Sequence, residues 1–182
     1  MFMTNEDQST KERIRGFLLD EGVLRKRLPT KKLDFGFQFT FPPGNQPSGQ
    51  PIGKNMAVFK PTNQTFIIIE IGTQISEVHQ KALKSLNKEK MMRYFMDLRK
   101  FFLIKDVYFG FDLENFRYKI SEQIFVEEDT AISKNMFFKA VRKIFNCAIY
   151  SNILLAEYVS GKIKPEDISK SEDFSPGFSL YT

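Results

Sequence analysis

Two stretches of the sequence carry apolar side chains in the periods that are typical of β-strands. Apolar residues take every second position between residues 33 and 41, and they are Leu33, Phe35, Phe37, Phe39 and Phe41. This two-residue period predicts a strand with one buried face. Residues 65–72 (TFIIIEIG) are instead apolar at both parities, which predicts a central strand that is covered on both faces.

Shorter patterns predict the remaining strands of one sheet. Residues 55–60 form a short strand, and residues 107–113 and 116–124 alternate on either side of a tight turn at Glu114–Asn115. Residues 42–53 (PPGNQPSGQPIG) are too rich in proline and glycine for a strand or a helix and form a loop. Because closely connected strands pair as antiparallel neighbours, the sequence predicts a five-stranded antiparallel sheet.

Helical periods fill the rest of the chain. The predicted helices run from about Thr10 to Glu21, from Ser76 to Ile104 with a new N-cap at Asn87, and from Ser133 to Ser160. The predicted order is α-βββ-α-ββ-α, an α+β fold with helices packed on the sheet. We expect one domain over residues 1–162 and a C-terminal tail over residues 163–182.

The segment from Lys88 to Ile104 has more apolar surface than one sheet face needs. At about 100° per residue, one line of side chains consists of Met91, Phe95, Leu98 and Phe102. A second line, the methionine line, consists of Met92, Met96 and Leu103. The second line is left facing outward, so it predicts a homodimer or partner interface. The competing prediction is that Phe174, Phe178 and Tyr181 of the tail cover it.

Positive charge is concentrated in two places, although the whole chain carries a net charge of only +5. The first cationic cluster comprises Arg25, Lys26, Arg27, Lys31 and Lys32, in a run with Pro29 that is interpreted as a connector. The second cationic cluster comprises Lys139, Arg142 and Lys143. Clustered cations bind anions and nucleic acids, yet no nucleic-acid-binding motif is present. A solvated surface is the favoured interpretation and nucleic-acid binding the alternative.

No catalytic signature accompanies these patterns. His79 is the only histidine and Cys147 the only cysteine, and a catalytic pair would need them beside a nucleophile or base. Zinc would need more ligands of these types. The acidic run Glu127–Asp129 has no second acidic cluster to join it. We therefore predict a protein that is not an enzyme and that has no metal and no cofactor.

The sequence also indicates a compartment. No apolar run approaches the roughly 20 residues that a membrane span needs, and residues 1–10 lack the basic and apolar segments of a secretory leader. A single cysteine fits a reducing environment. We expect a cytoplasmic protein that does not enter a membrane.

Several local strings resemble a known family. They are KLDFGFQFTFPPG (Lys32 to Gly44), VFKP, TFIIIEIGTQIS, ISEVHQKAL and FFKAVRKIFN. The chain resembles a prokaryotic, largely archaeal, family of uncharacterised proteins that is related to the YbjN-like and type III secretion chaperone-like fold. The resemblance implies a small α+β domain, commonly dimeric, that binds other polypeptides. The leading hypothesis is therefore a non-enzymatic protein- or peptide-binding module with a chaperone-like or regulatory role.

Overall fold

The structure, a computed structural model, describes residues 5–29, 31–45, 47–49, 52–126 and 131–161, and side chains from residue 10 onward. The helices are α1 (Asn5–Asp20), α2 (Glu77–Lys84), α3 (Lys88–Ile104) and α4 (Lys134–Tyr158). The strands are β1 (Leu24–Arg27), β2 (Leu33–Phe41), β3 (Lys54–Pro61), β4 (Phe66–Gln74), β5 (Tyr108–Asp112) and β6 (Arg117–Phe125). Helix α1 thus begins earlier than the predicted Thr10.

The strands form one sheet in the order β1-β2-β3-β4-β6-β5. Strands β1 to β4 are antiparallel neighbours, and the backbone hydrogen bond from Val126 N–H to Thr65 C=O (2.7 Å) fits the same arrangement of β4 and β6. The predicted α+β class, the antiparallel sheet and the central position of β4 are confirmed. The predicted number of strands is wrong, since the described residues form six strands and not five.

The additional strand lies in the basic run that was interpreted as a connector. Strand β1 pairs with β2 through Leu24 with Phe39 and Arg27 with Phe37, and the register shifts between Leu24 and Lys26. The Leu28 N–H continues the pairing with a 2.9 Å bond to the Gly36 carbonyl. Three adjacent cations conceal the strand in the sequence. They are tolerated here because β1 is an edge strand, and charge is common on sheet edges.

Two compact units can be distinguished, each made of two chain segments. The first ends at Ile71 and resumes over Ser121–Ile144, and the second comprises Gly72–Ile120 and the chain from Phe145 onward. The expectation of a single domain over residues 1–162 stays a prediction. The predicted tail, residues 163–182, lies outside the described residues.

The core of the first unit is built from aromatic side chains of β2, α1 and α4. Phe35, Phe37 and Phe39 are at most 1% exposed, as the alternating pattern predicts. The Phe137 ring of α4 lies 6.2 Å from the Phe39 ring and 6.1 Å from the Phe17 ring of α1. Helices α1 and α4 therefore cover this face of β2.

The two faces of β4 are not equally covered within this unit. Ile67, Ile69 and Ile71 are buried, whereas Phe66 and Ile68 are half-buried. Phe66 contacts the exposed Phe125 ring edge-on at 5.6 Å. The prediction of burial on both faces therefore holds for the face of Ile67, Ile69 and Ile71. It holds only in part for the face of Phe66 and Ile68.

The second unit packs α3 on the hairpin of β5 and β6. Phe95 of α3 meets Phe111 edge-on at 6.0 Å, and Phe102 lies 5.6 Å from Phe109. The predicted N-caps are present, since Ser76 caps α2 and the Asn87 side chain accepts the Lys90 N–H of α3 at 2.8 Å. The Ser76 cap fixes the start of α2, and the Asn87 cap fixes the start of α3.

Candidate functional site

One side of α3 carries apolar side chains that are exposed. Met92 is 42% exposed, Met96 44% and Leu103 68%. These are the three members of the methionine line, and their spacing of four and seven residues places them on one helix face. The structure thus brings together the residues that the sequence assigned to an interface.

The first line of α3, about 100° round the helix from the methionine line, faces the hairpin. Phe95, Leu98 and Phe102 are buried, and Met91 is half-buried. Tyr94 also lies in this buried side, and its ring meets Phe95 edge-on at 4.9 Å. The sequence analysis omitted Tyr94 because a tyrosine hydroxyl suits a surface as well as a core.

A third side of α3 contacts the C-terminal half of α4. The Phe101 and Tyr150 rings stack at 3.8 Å. The Tyr158 hydroxyl donates a 2.5 Å hydrogen bond to the Asp97 carboxylate, and this bond lowers the pKa of Asp97. Burial, with this bond next in effect, raises the pKa of Tyr158 to about 12. Two sides of α3 therefore contact other elements of the unit, whereas the methionine line remains exposed.

The first cationic cluster lies at the free edge of the sheet. Arg25, Lys26 and Arg27 are consecutive residues of β1, and Lys31 and Lys32 lie in the turn before β2. All five side chains belong to exposed residues. The described part of the chain gives none of them a hydrogen-bond or ion-pair partner. Their charge therefore faces solvent along an unpaired strand edge.

The second cationic cluster is divided by its contacts. Lys143 donates to both carboxylate oxygens of Glu122, at 3.0 and 2.9 Å, so its charge is neutralised. Lys139 and Arg142 are exposed, and neither has an ion-pair partner within the described ranges. They lie three residues apart on α4 and share a side of the helix. Two of the three predicted cations therefore remain available.

A cleft near Arg142 was not predicted from the sequence. The Phe41 cleft, as we call it, has a volume of about 470 Å³ and is lined by Glu21, Phe41, Pro43, Lys134, Asn135, Phe138 and Arg142. Its residues come from the ends of α1 and β2 and from the start of α4, so no local pattern reveals it. The signals that the sequence does hold are Phe41, at the end of the alternating strand, and Arg142, in the second cationic cluster.

The polar groups of the Phe41 cleft differ in what they contact. The Lys134 ammonium lies 2.7 Å from Glu21 and 3.5 Å from Asp20, and the Glu21 hydrogen bond raises the pKa of Lys134. This lysine is held by its neighbours at the rim. Arg142 is the lining cation without such a neighbour in the described chain.

His79 and Cys147, the residues considered for catalysis, lie in surroundings that are typical of residues with a structural role. His79 is 7% exposed, and its Nδ1 lies 3.0 Å from the Ser76 hydroxyl that caps α2. Cys147 is 2% exposed within α4. The run Glu127–Asp129 lies outside the described residues. Across the described ranges, no three or more His, Cys, Asp or Glu side chains come together as a group that could hold a metal ion.

No helix of the described chain is both long enough and apolar enough to span a membrane. A sequence profile described as "Uncharacterized conserved protein (DUF2299)" matches residues 10–155. No curated protein matches the chain.

Two solved structures are similar to the chain. The crystal structure of an uncharacterized protein from Methanothermobacter thermautotrophicus aligns with a TM-score of 0.71 and 21% identity, over 83% of this chain and 99% of that one. This likeness is evidence about the fold. The crystal structure of the ExsC–ExsE complex aligns with a TM-score of 0.48 and 14% identity, over 80% of this chain and 95% of that one.

Proposed function

The chain belongs to the family of uncharacterized conserved proteins described as DUF2299, and we propose that it is a non-enzymatic module that binds polypeptides through the methionine line. The observation that carries this proposal is the exposure of Met92, Met96 and Leu103 on one side of α3. The first partner that we propose is a second copy of the chain, and the compartment is the cytoplasm.

The methionine line is suited to association because its exposure costs free energy. Fully burying one exposed apolar side chain is worth about 1.5–3 kcal/mol. Burying the 42–68% of Met92, Met96 and Leu103 that is still exposed gains part of that on each of two copies, which favours pairing. Methionine is unbranched and adapts its shape to different partners. Ile104, at the end of α3, is 78% exposed and adds to the apolar area. An interface on this side would leave the contacts of α3 with the hairpin and with α4 unchanged.

The surroundings of the two reactive side chains support a non-enzymatic role. His79 lies against the capping hydroxyl of Ser76, and Cys147 is buried. A catalytic histidine needs hydrogen-bond reach to a group on its substrate, and a reactive thiol needs partial exposure in an electropositive setting. His79 is better explained by its contact with the helix-capping Ser76 hydroxyl, and Cys147 by packing in the core.

The experiment is a measurement of molar mass by light scattering. We expect the wild-type chain to have the mass of two chains of 21.3 kDa. The double variant Met92→Lys/Met96→Lys should have the mass of one chain with an unchanged circular dichroism spectrum, because it places charge in the interface. The matched control is Met136→Lys on α4, since Met136 is as exposed as Met96, at 44%. This control should still pair.

Three results would contradict the proposal. A wild-type chain of single mass excludes the homodimer, and a double variant that still pairs places the interface elsewhere. If only a chain without residues 163–182 pairs, the tail covers the methionine line, as in the competing prediction.

A second candidate function is nucleic-acid binding through the first cationic cluster. The observation that favours it is the exposure of five cations along and beside β1 without partners in the described chain. Binding through these cations would weaken steeply as salt is added, because each phosphate contact releases counterions. Charge on an edge strand has a simpler explanation in the protection of that edge, so this candidate ranks second.

A further inference from the structure

We propose that the Phe41 cleft binds an extended peptide segment in which an acidic residue and an aromatic residue are separated by one residue. This inference rests on the proposed function, since it names the chemistry of a polypeptide partner. It uses a different surface, because the Phe41 cleft lies in the first unit and the methionine line in the second.

Aromatic side chains form the apolar part of the cleft. The Phe41 and Phe138 rings lie 6.3 Å apart and are tilted by 32°. Phe138 is 8% exposed and Phe41 is half-buried, so both rings are held by the core and present only part of their surface. Pro43 adds an exposed apolar neighbour. A partner ring can pack edge-on or offset on such surfaces, as aromatic pairs prefer.

One cation of the cleft is left to bind an anion. Glu21 and Asp20 both face the Lys134 ammonium, so Lys134 is already paired. The Arg142 guanidinium remains, and no carboxylate of the described chain pairs with it. A guanidinium binds a carboxylate through two parallel hydrogen bonds. An acidic side chain is therefore the group that Arg142 would recognise.

The spacing that we propose for the peptide follows that of Phe138 and Arg142. The two residues are four apart on α4, which places their Cβ atoms about 5–6 Å from each other. In an extended peptide, side chains two residues apart point the same way and lie about 6.6 Å apart at a rise of about 3.3 Å per residue. Adjacent residues point in opposite directions. An acidic residue and an aromatic one thus match the cleft when one residue separates them.

The remaining features of the cleft fit an extended chain. Its volume of about 470 Å³ lies in the range of known ligand sites. Exposed Asn135 lines the rim, and its side-chain amide can both donate to and accept from a peptide backbone. The partner chemistry is therefore an acidic and aromatic peptide.

The test uses the full chain and a capped heptapeptide, Gly-Glu-Gly-Phe-Gly-Glu-Gly, which has a carboxylate two residues from the ring in either direction. Binding is followed by chemical-shift changes in isotope-labelled protein. We expect shifts at Phe41 and Phe138, and we expect Arg142→Gln to weaken binding about tenfold or more, since hydrogen bonds to charged groups are the strong ones. The matched control is Lys139→Gln, because Lys139 is exposed one turn away and does not line the cleft. It should change the affinity by less than about twofold.

Two further peptides test the chemistry. The peptide with glutamine in place of both glutamates should bind the wild-type protein about as weakly as the original heptapeptide binds the Arg142→Gln variant. The peptide Gly-Gly-Glu-Phe-Gly-Gly, with adjacent side chains, should also bind more weakly than the heptapeptide.

The proposal is overturned if the heptapeptide does not bind, if Arg142→Gln binds it as the wild type does, or if the shifts lie away from the cleft. Binding of 3-phenylpropionate as tightly as the heptapeptide would overturn the assignment to a polypeptide. None of these results bears on pairing through α3. That pairing is tested by light scattering of the methionine variants, and Met92 and Met96 do not line the cleft.

Discussion

Two buried tyrosines in the second unit differ in what their hydroxyl groups contact. The Tyr118 hydroxyl lies 2.5 Å from the Ser151 hydroxyl, which donates to the Ala148 carbonyl at 2.7 Å. The Tyr94 hydroxyl is buried and has no hydrogen-bond partner in the described chain. Burial raises the pKa of both side chains. A buried polar group without a partner costs about 1–3 kcal/mol. The hydroxyl group of Tyr94 therefore lowers the free energy of unfolding, although its ring packs in the core.

Removing each hydroxyl should therefore change the free energy of unfolding in opposite directions. We expect Tyr94→Phe to raise it by about 1 kcal/mol and Tyr118→Phe to lower it by about 1–2 kcal/mol. Urea denaturation of the two variants and the wild type measures both effects. The variants are matched controls for each other, because both keep the ring and the buried environment. A clear loss of stability in Tyr94→Phe would show that its hydroxyl has a partner.

Among the elements, β1 shows where the sequence is and is not informative. Strand β2 could be predicted because Phe35, Phe37 and Phe39 need burial, and only a two-residue period provides it. Strand β1 has no such period, because its only requirement is backbone pairing with β2, which any side chain satisfies. The order of the elements and the methionine line were thus accessible from local patterns. The Phe41 cleft was not, since Phe41 and Phe138 are brought together only by folding.

The cations of β1 also carry a prediction about association. Neutralising Arg25, Lys26 and Arg27 together, as threonines, should leave the chain folded but increase its aggregation, because an uncharged edge strand can pair with another chain. Static light scattering during incubation measures the aggregation, and circular dichroism measures the fold. The control replaces exposed Lys81, Lys84 and Lys88 with threonine, an equal loss of charge away from the sheet edge.

The same variant separates edge protection from nucleic-acid binding. If the wild type binds single-stranded or duplex oligonucleotides with a steep salt dependence, and the variant has lost this binding without aggregating, the cations serve nucleic-acid recognition and the edge explanation is wrong.

At the scale of the whole molecule, three tyrosines connect stability to pH. Tyr94, Tyr118 and Tyr158 all have pKa values raised above the ordinary value of 10.0. The folded chain therefore keeps protons that the unfolded chain loses in alkaline solution. The resulting stabilisation is fully present below pH 10 and is lost as the pH rises through the folded pKa, which is about 12 for Tyr158.

We therefore expect the urea midpoint of unfolding to fall steadily from about pH 10 to about pH 11.5. Ultraviolet absorbance of tyrosinate should rise together with unfolding for the buried tyrosines. Tyr158→Phe should show a shallower fall than the wild type, because one of the raised pKa values is gone. A midpoint that stays constant over this range would mean that these hydroxyl groups ionise freely in the folded chain.

The position of β1 and β5 at the two ends of the sheet limits how two copies of the protein can pair through their sheets. A closed pair with two-fold symmetry joins two copies of the same edge. The edge at β1 carries three like charges, so two such edges repel each other, whereas β5 (YFGFD) has no cation. A closed pair formed through the sheet would therefore join two β5 edges and leave both β1 edges facing solvent.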